Sequence, residues 1–194
     1  MKIILIRHGL TDDNLRKIYC GFRNPELNKT GLAQAEKIRA KLKGLKIDKV
    51  FCSDLKRSCQ TAGIIFGNRK CGISKNANLR EMHFGKWEGL NYRQVSVKYP
   101  RLYKKWLKDP FSADIPLGEK MNHFISRVKK ELNAIINKEE NKTVAIVSHL
   151  GVMRAILNNC LGAKKEDFWG FKIEPKAVYI IEHNGFSKPQ VYKL

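Results

Sequence analysis

Two stretches decide the fold: Ile3-Ile4-Leu5-Ile6-Arg7-His8-Gly9 near the start, and Val144-Ala145-Ile146-Val147-Ser148-His149-Leu150-Gly151 towards the end. Each opens with four consecutive aliphatic residues. An unbroken aliphatic run, rather than an alternating one, predicts a strand buried on both faces, as in a parallel sheet covered by helices. Each run delivers a histidine just past its C-terminal end. In an open parallel sheet, ligands bind outside those ends. If the two strands are neighbours, His8 and His149 meet at one point.

Working outward, the spacing predicts a helix over 30–44, capped by Thr30, with Leu32, Ala35, Ile38 and Leu42 on one face. A short strand over 50–52 follows. Ser53 or Asp54 then caps a helix reaching about Phe66, with Arg57 in its first turn. Residues 72–75 read as another short strand. Residues 119–138 read as a helix with Phe124, Val128, Leu132 and Ile135 on one face. A further helix after His149 carries Val152, Ala155, Ile156 and Cys160. Final strands over 177–182 and 189–192 flank an Asn184-Gly185 turn. Short aliphatic strands alternating with helices predict an α/β class chain. The expected architecture is a three-layer α/β/α sandwich with a largely parallel central sheet. We expect one domain over 1–194, with a lid-like elaboration at about 79–118 that carries Trp87, Tyr92, Tyr99, Tyr103, Trp106 and Phe111.

Composition narrows the function classes. The chain has 194 residues, 38 Lys+Arg against 18 Asp+Glu, and a formal charge of +20. With 43% hydrophobic residues it is not a disordered polyelectrolyte. No apolar run approaches the ~20 residues that span a bilayer. The five cysteines form no CxxC pair, which argues against a disulfide framework or a zinc site and for free thiols in a reducing compartment. A cytoplasmic protein without a membrane partner is expected. The positive charge is spread along the chain and is mostly lysine. A nucleic-acid binder would be motivated by that charge alone, without a binding motif or a segregated patch, so no nucleic-acid partner is expected. Spread lysine suits solubility and general attraction of anions.

Arg7 lies beside His8, and Arg57 sits where a guanidinium can reach back to the same sheet edge. Two arginines and two histidines around one point suit a dianion, because guanidinium pairs bidentately with phosphate oxygens. Flanking cations also disfavour imidazolium, which keeps a nucleophilic imidazole neutral.

Arg7-His8-Gly9 with Thr11 and Asn14 resembles the signature of the histidine phosphatase superfamily, the phosphoglycerate mutase-like fold. The resemblance continues through Ser53–Ala62, through Leu79-Arg80-Glu81-Met82-His83-Phe84-Gly85-Lys86-Trp87-Glu88-Gly89, and through Ser148-His149-Leu150-Gly151-Val152-Met153-Arg154. One such triplet is weak; four blocks in the family order cover nearly the whole chain. The resemblance implies that His8 attacks phosphorus and becomes phosphohistidine. It implies that Arg7, Arg57 and His149 bind the phosphoryl oxygens, and that Asn14 adds a contact. Glu81 would protonate the leaving oxygen and then activate water. Gly21 and the backbone N–H of Leu150 would complete the substrate site. No metal and no cofactor is implied, since cationic side chains carry the electrostatic work. Many relatives have Glu or Gln at Leu10 and Gly at Leu150, and Lys120 replaces Ser in a Gly118-Glu119 stretch.

The block around Glu81 is most similar to α-ribazole phosphatases of cobalamin biosynthesis, and the lid aromatics could stack on a ribazole base. The expected partner is therefore a small phosphate ester. Alternatives are a phosphoglycerate mutase, a broad-specificity sugar or small-molecule phosphatase, and, from another class, a catalytically idle phosphate-binding module. A homodimer is left open. His83 would line the pocket or pack; the lid cations Lys86, Arg93, Arg101, Lys104, Lys105 and Lys108 would steer anions or form a solvated face. His123 and His183 have no motif context.

Overall fold

The computed structural model describes residues 1–171, 173, 177–182 and 189–194. Among them run β1 (Lys2–Arg7), α1 (Asp12–Leu15), α2 (Lys29–Lys41), β2 (Lys49–Ser53), α3 (Lys56–Phe66), β3 (Ile73–Asn76), α4 (Tyr92–Lys98), α5 (Pro100–Lys108), α6 (Met121–Lys138), β4 (Thr143–Ser148), α7 (Leu150–Leu161), β5 (Val178–Glu182) and β6 (Gln190–Lys193). The expected Asn184-Gly185 turn and His183 lie outside the described residues.

The six strands form one sheet in the order β3-β2-β4-β1-β5-β6. The first four strands in that row are parallel. β5 runs antiparallel to β1, and β6 antiparallel to β5. The sheet is thus largely parallel, as expected. Successive residues of β1 and β4 serve opposite cores. Ile3, Leu5, Val144 and Ile146 pack with α6 and α7; Ile4, Ile6, Ala145 and Val147 pack with α2 and α3. That double burial is why neither strand alternates in sequence.

β1 and β4 are direct neighbours, in a register that sets Ile3 opposite Val144 and Arg7 opposite Ser148. His8 and His149 are each the next residue. The His8 amide donates to the Ser148 carbonyl at 2.9 Å, which extends the pairing to the site itself.

Several local expectations are corrected. α2 is capped by Asn28, whose side chain accepts from the Gly31 amide at 2.9 Å, not by Thr30. The buried face of α2 holds Gly31, Gln34, Ala35 and Ile38, with Leu42 buried just past its end, while Leu32 is 41% exposed. Neither Ser53 nor Asp54 caps α3; Leu55 stands at its N-cap without a side-chain bond. Asp54 instead binds Arg80 through two hydrogen bonds of 2.7 and 2.5 Å. The one-turn helix α1 had no periodic signal. It exists through a capping box in which Thr11 and Asn14 satisfy each other's backbone amides.

A 3₁₀ turn over Ala77–Leu79 leads into the elaboration, which holds a second, Gly85–Trp87, followed by α4 and α5. Its aromatic residues mostly build their own core. Trp87 is fully buried, with ring centroids 5.3 Å from Tyr19, 6.0 Å from Tyr103 and 5.7 Å from Trp106. Trp106 also meets Phe84 and Trp169. Among the described residues, no helix is long and apolar enough to cross a membrane.

Candidate active site

His8 is buried, and its Nδ1 lies 2.7 Å from the Gly9 carbonyl oxygen. A carbonyl only accepts, so Nδ1 carries the proton and the Nε2 lone pair is free. Burial first, and the Arg57 guanidinium next, hold the His8 imidazole well below the usual histidine range. Flanking cations alone are expected from the sequence; desolvation is the larger cause. His8 therefore stays neutral at physiological pH, with its nucleophilic nitrogen fixed by one backbone bond.

His149, at the N-cap of α7, has its ring centroid 5.0 Å from that of His8. Arg57 Nε donates to His149 Nδ1 at 3.2 Å, so in the neutral ring the proton sits on Nε2. No protein group among the described residues pairs with that buried Nε2. It is a donor held ready. Burial and then Arg57 push this imidazole down as well.

Arg57 is buried, and its guanidinium is held from behind. Nη1 donates to the Arg23 carbonyl at 2.7 Å and Nη2 to the Gly21 carbonyl at 2.9 Å. With Nε on His149, three of its five N–H donors are committed and two remain. Arg7 is anchored by a 3.2 Å bond from Nη1 to the Ile173 carbonyl. Asn14 spends Oδ1 on the Thr11 amide at 3.0 Å, which leaves Nδ2 as its donor for a ligand.

The Glu81 carboxylate accepts from two backbone amides, Met82 at 3.0 Å on Oε1 and Gly151 at 3.0 Å on Oε2. The approach to α7 is close because Gly151 has no side chain; a Cβ there would stand 2.3 Å from Glu81 Oε1. The backbone behind Glu81 is clamped by Arg127 on α6. Arg127 donates to the carbonyls of Asn78 and Arg80 at 2.8 and 3.1 Å and pairs bidentately with Glu119 at 2.9 and 2.8 Å.

These side chains converge. Arg7, His8, Asn14, Gly21, Arg57, Glu81 and Leu150 all line one cleft of about 330 Å³, with His149 packed behind His8. Of the aromatics singled out in the lid Tyr92 lines it, joined by Phe84 from the same elaboration and by Ile18 and Tyr19. The lid cations do not line it and are solvent-exposed; the lysine on its wall is Lys17, held at φ +56°. His83 packs on Phe22 with centroids 4.6 Å apart, and His123 is exposed. Sequence reasoning missed Lys17, Arg127 and the structural work of Glu88. Only Glu88 carried a signal, its place in the Glu81 block. Among the described residues, no three or more His, Cys, Asp or Glu side chains gather as a metal site would require.

The profile of the histidine phosphatase superfamily (branch 1) matches residues 3–191. Phosphoserine phosphatase 1 of Hydrogenobacter thermophilus is 30% identical over 194 residues, covering 100% of this chain and 92% of that protein. The adenosylcobalamin/alpha-ribazole phosphatase of Escherichia coli is 29% identical over 174 residues, covering 90% and 86%. The crystal structure of the alpha-ribazole phosphatase from Shigella flexneri superposes with a TM-score of 0.93 at 28% identity, covering 100% and 96%.

Proposed function

The chain belongs to the histidine phosphatase superfamily, and on that premise we propose that it is a single-domain phosphatase hydrolysing small phosphate monoesters through a phosphohistidine on His8. The observation that carries the reading is the tautomer of His8. Its Nδ1–H is tied to Gly9, so the Nε2 lone pair faces no competing proton. In the first step Nε2 attacks phosphorus and the bond to the ester oxygen breaks. Glu81, protonated, gives its proton to that oxygen. In the second step Glu81 takes a proton from water, the hydroxide attacks phosphorus, and the P–N bond breaks to release phosphate and neutral His8. Arg7, Arg57, His149 Nε2, Asn14 Nδ2 and the first-turn amide of α7 at Leu150 bind the phosphoryl oxygens as charge builds.

For the ester itself we propose α-ribazole 5′-phosphate. Support comes from the alpha-ribazole phosphatases among the relatives and from the Tyr19, Phe84 and Tyr92 wall, which suits a flat base. Phosphoserine is the second reading. It is favoured by the full-length relative of that name and by Lys17 on the cleft wall, a cation for a substrate carboxylate.

The test has two stages. Hydrolysis of p-nitrophenyl phosphate should be lost in His8→Ala, and rapid quench with labelled substrate should leave an acid-labile, base-stable phosphoryl group on the wild type. Full activity in His8→Ala would overturn the nucleophile. Then α-ribazole 5′-phosphate, O-phosphoserine and 3-phosphoglycerate are compared by kcat/KM. If α-ribazole 5′-phosphate is no better than p-nitrophenyl phosphate, the substrate assignment fails.

A further inference from the structure

Arg57 is only as well aimed as the groups behind it. Two of its three protein bonds go to carbonyls of the loop over 20–23, which belongs to no helix or strand. We infer that Glu88 is a positioning residue for Arg57. It fixes the Gly21–Phe22 peptide unit that holds one arm of the guanidinium, and so couples the elaboration over 79–118 to phosphate recognition. The inference rests on the phosphate-binding role of Arg57 proposed above.

The link is a short chain of hydrogen bonds. Glu88 Oε1 accepts from the Phe22 amide at 2.7 Å and the Phe84 amide at 3.1 Å; Oε2 accepts from the Arg23 amide at 3.0 Å. The Phe22 N–H and the Gly21 carbonyl belong to one peptide unit, planar and trans. Its N–H end is held by Glu88, and its C=O end takes Arg57 Nη2. Rotating that plane to release one partner releases the other. Bonds at both ends also polarise the peptide and strengthen each other.

The alternatives for holding this plane are few. The Arg23 amide also reaches the Cys20 carbonyl at 2.9 Å, so it does not depend on Glu88 alone. Asp13 holds the Arg23 side chain, at 3.0 Å from Nε, rather than the loop backbone. Near Glu88 itself stands His83, whose Nε2 is 3.6 Å from Oε1. The Phe22 amide is the contact that Glu88 supplies by itself. Gly21 is shaped for it: its φ is +48°, and a Cβ would stand 2.1 Å from Glu88 Oε1. The other oxygen contact, to the Phe84 amide, lies inside the elaboration. One carboxylate therefore joins the loop behind Arg57 to the segment that carries Glu81 and Phe84.

The test is a double-mutant cycle. Glu88→Ala and Glu88→Gln are each made in the wild type and in Arg57→Lys, and kcat, KM and thermal midpoint are measured with p-nitrophenyl phosphate. Freeing a guanidinium by about 1 Å should lower kcat/KM about 100-fold in Glu88→Ala. Glu88→Gln keeps one oxygen for the Phe22 amide and should recover about tenfold of that loss. In the Arg57→Lys background both Glu88 changes should cost less than about threefold, because residues acting through one another are not additive. Losses that multiply across the cycle would overturn the role of Glu88, as would unchanged activity in Glu88→Ala. If Glu88→Ala does not fold, the Glu88→Gln arm decides by the same criterion. An inactive wild type would instead overturn the proposed function, and this role with it.

Discussion

Replacing Gly151 by alanine should separate protonation of the leaving group from the rest of the chemistry. The added Cβ would lie 2.3 Å from Glu81 Oε1 and 3.2 Å from Phe124 Cζ, where ordinary contact begins near 3.4 Å. The Glu81 carboxylate must therefore retreat by about 1 Å, the distance at which misplaced catalytic groups lose roughly 100-fold. Its bond from the Gly151 amide is lost or lengthened on the way. The fold should tolerate the change. Glu81 is the movable end of a side chain, and alanine in a helix is about 1 kcal/mol better than glycine, which offsets the crowding of Phe124. The assay compares two esters. An alkyl phosphate, with a basic leaving oxygen, needs the proton and should lose about 100-fold in kcat/KM, which reports formation of phosphohistidine and not the later attack of water that Glu81 also assists. p-Nitrophenyl phosphate, whose leaving group is stable as an anion, should lose no more than about tenfold. Equal losses for both esters with an unchanged thermal midpoint, or no loss for the alkyl ester, would refute Glu81 as the acid.

Three further outcomes are expected. His8 and His149 are held neutral by burial, so between their depressed values and the unfolded value near 6.5 the unfolded chain binds more protons. Stability should then be highest above pH 6.5 and fall below it by about 1 kcal/mol per pH unit for each histidine; urea unfolding at several pH values, with ring signals that do not titrate near 6.5, checks this. Chelator treatment should leave activity unchanged, because the charge acting on phosphate comes from side chains; a loss on EDTA restored by one divalent ion would contradict that. Trp87→Ala removes the centre of the aromatic core of the elaboration and should cost about 3–5 kcal/mol in denaturant unfolding.

The legible part of this fold is the part written in local chemistry. Aliphatic runs marked β1 and β4, and the residues after them marked the site, because a strand buried on both faces leaves a plain compositional trace. Helical spacing found α6 with Phe124, Val128, Leu132 and Ile135 all buried. The same spacing misjudged Leu32, which is 41% exposed although Ala35, Ile38 and Leu42 of the expected face are buried. Arg7, His8, Arg57 and His149 could be singled out because their residue types suit a phosphate dianion, whereas Glu81 was marked only by the family resemblance of its block. Arg127 could not be singled out, and for Glu88 the block gave a place but no role. Their partners are backbone amides and carbonyls tens of residues away, and a backbone atom leaves no mark in a sequence. The lid aromatics misled for a related reason. Composition shows that they are numerous but not that Trp87 and Trp106 face each other rather than the cleft.

The central place of β1 has a consequence for synthesis. β1 is made first, yet both of its neighbours, β4 and β5, lie beyond residue 142. At about 5–20 residues per second, the ribosome needs roughly ten seconds or more to supply them. During that interval β2 and β3 can already pair, while the most aliphatic strand of the sheet has both edges bare. An unpaired apolar strand is the kind of segment that nascent chains associate through. Lys2 and Arg7 bracket it with charge at each end. The arginine assigned to phosphate in the finished enzyme thus also serves, before any site exists, as one of two guards on the strand that waits longest.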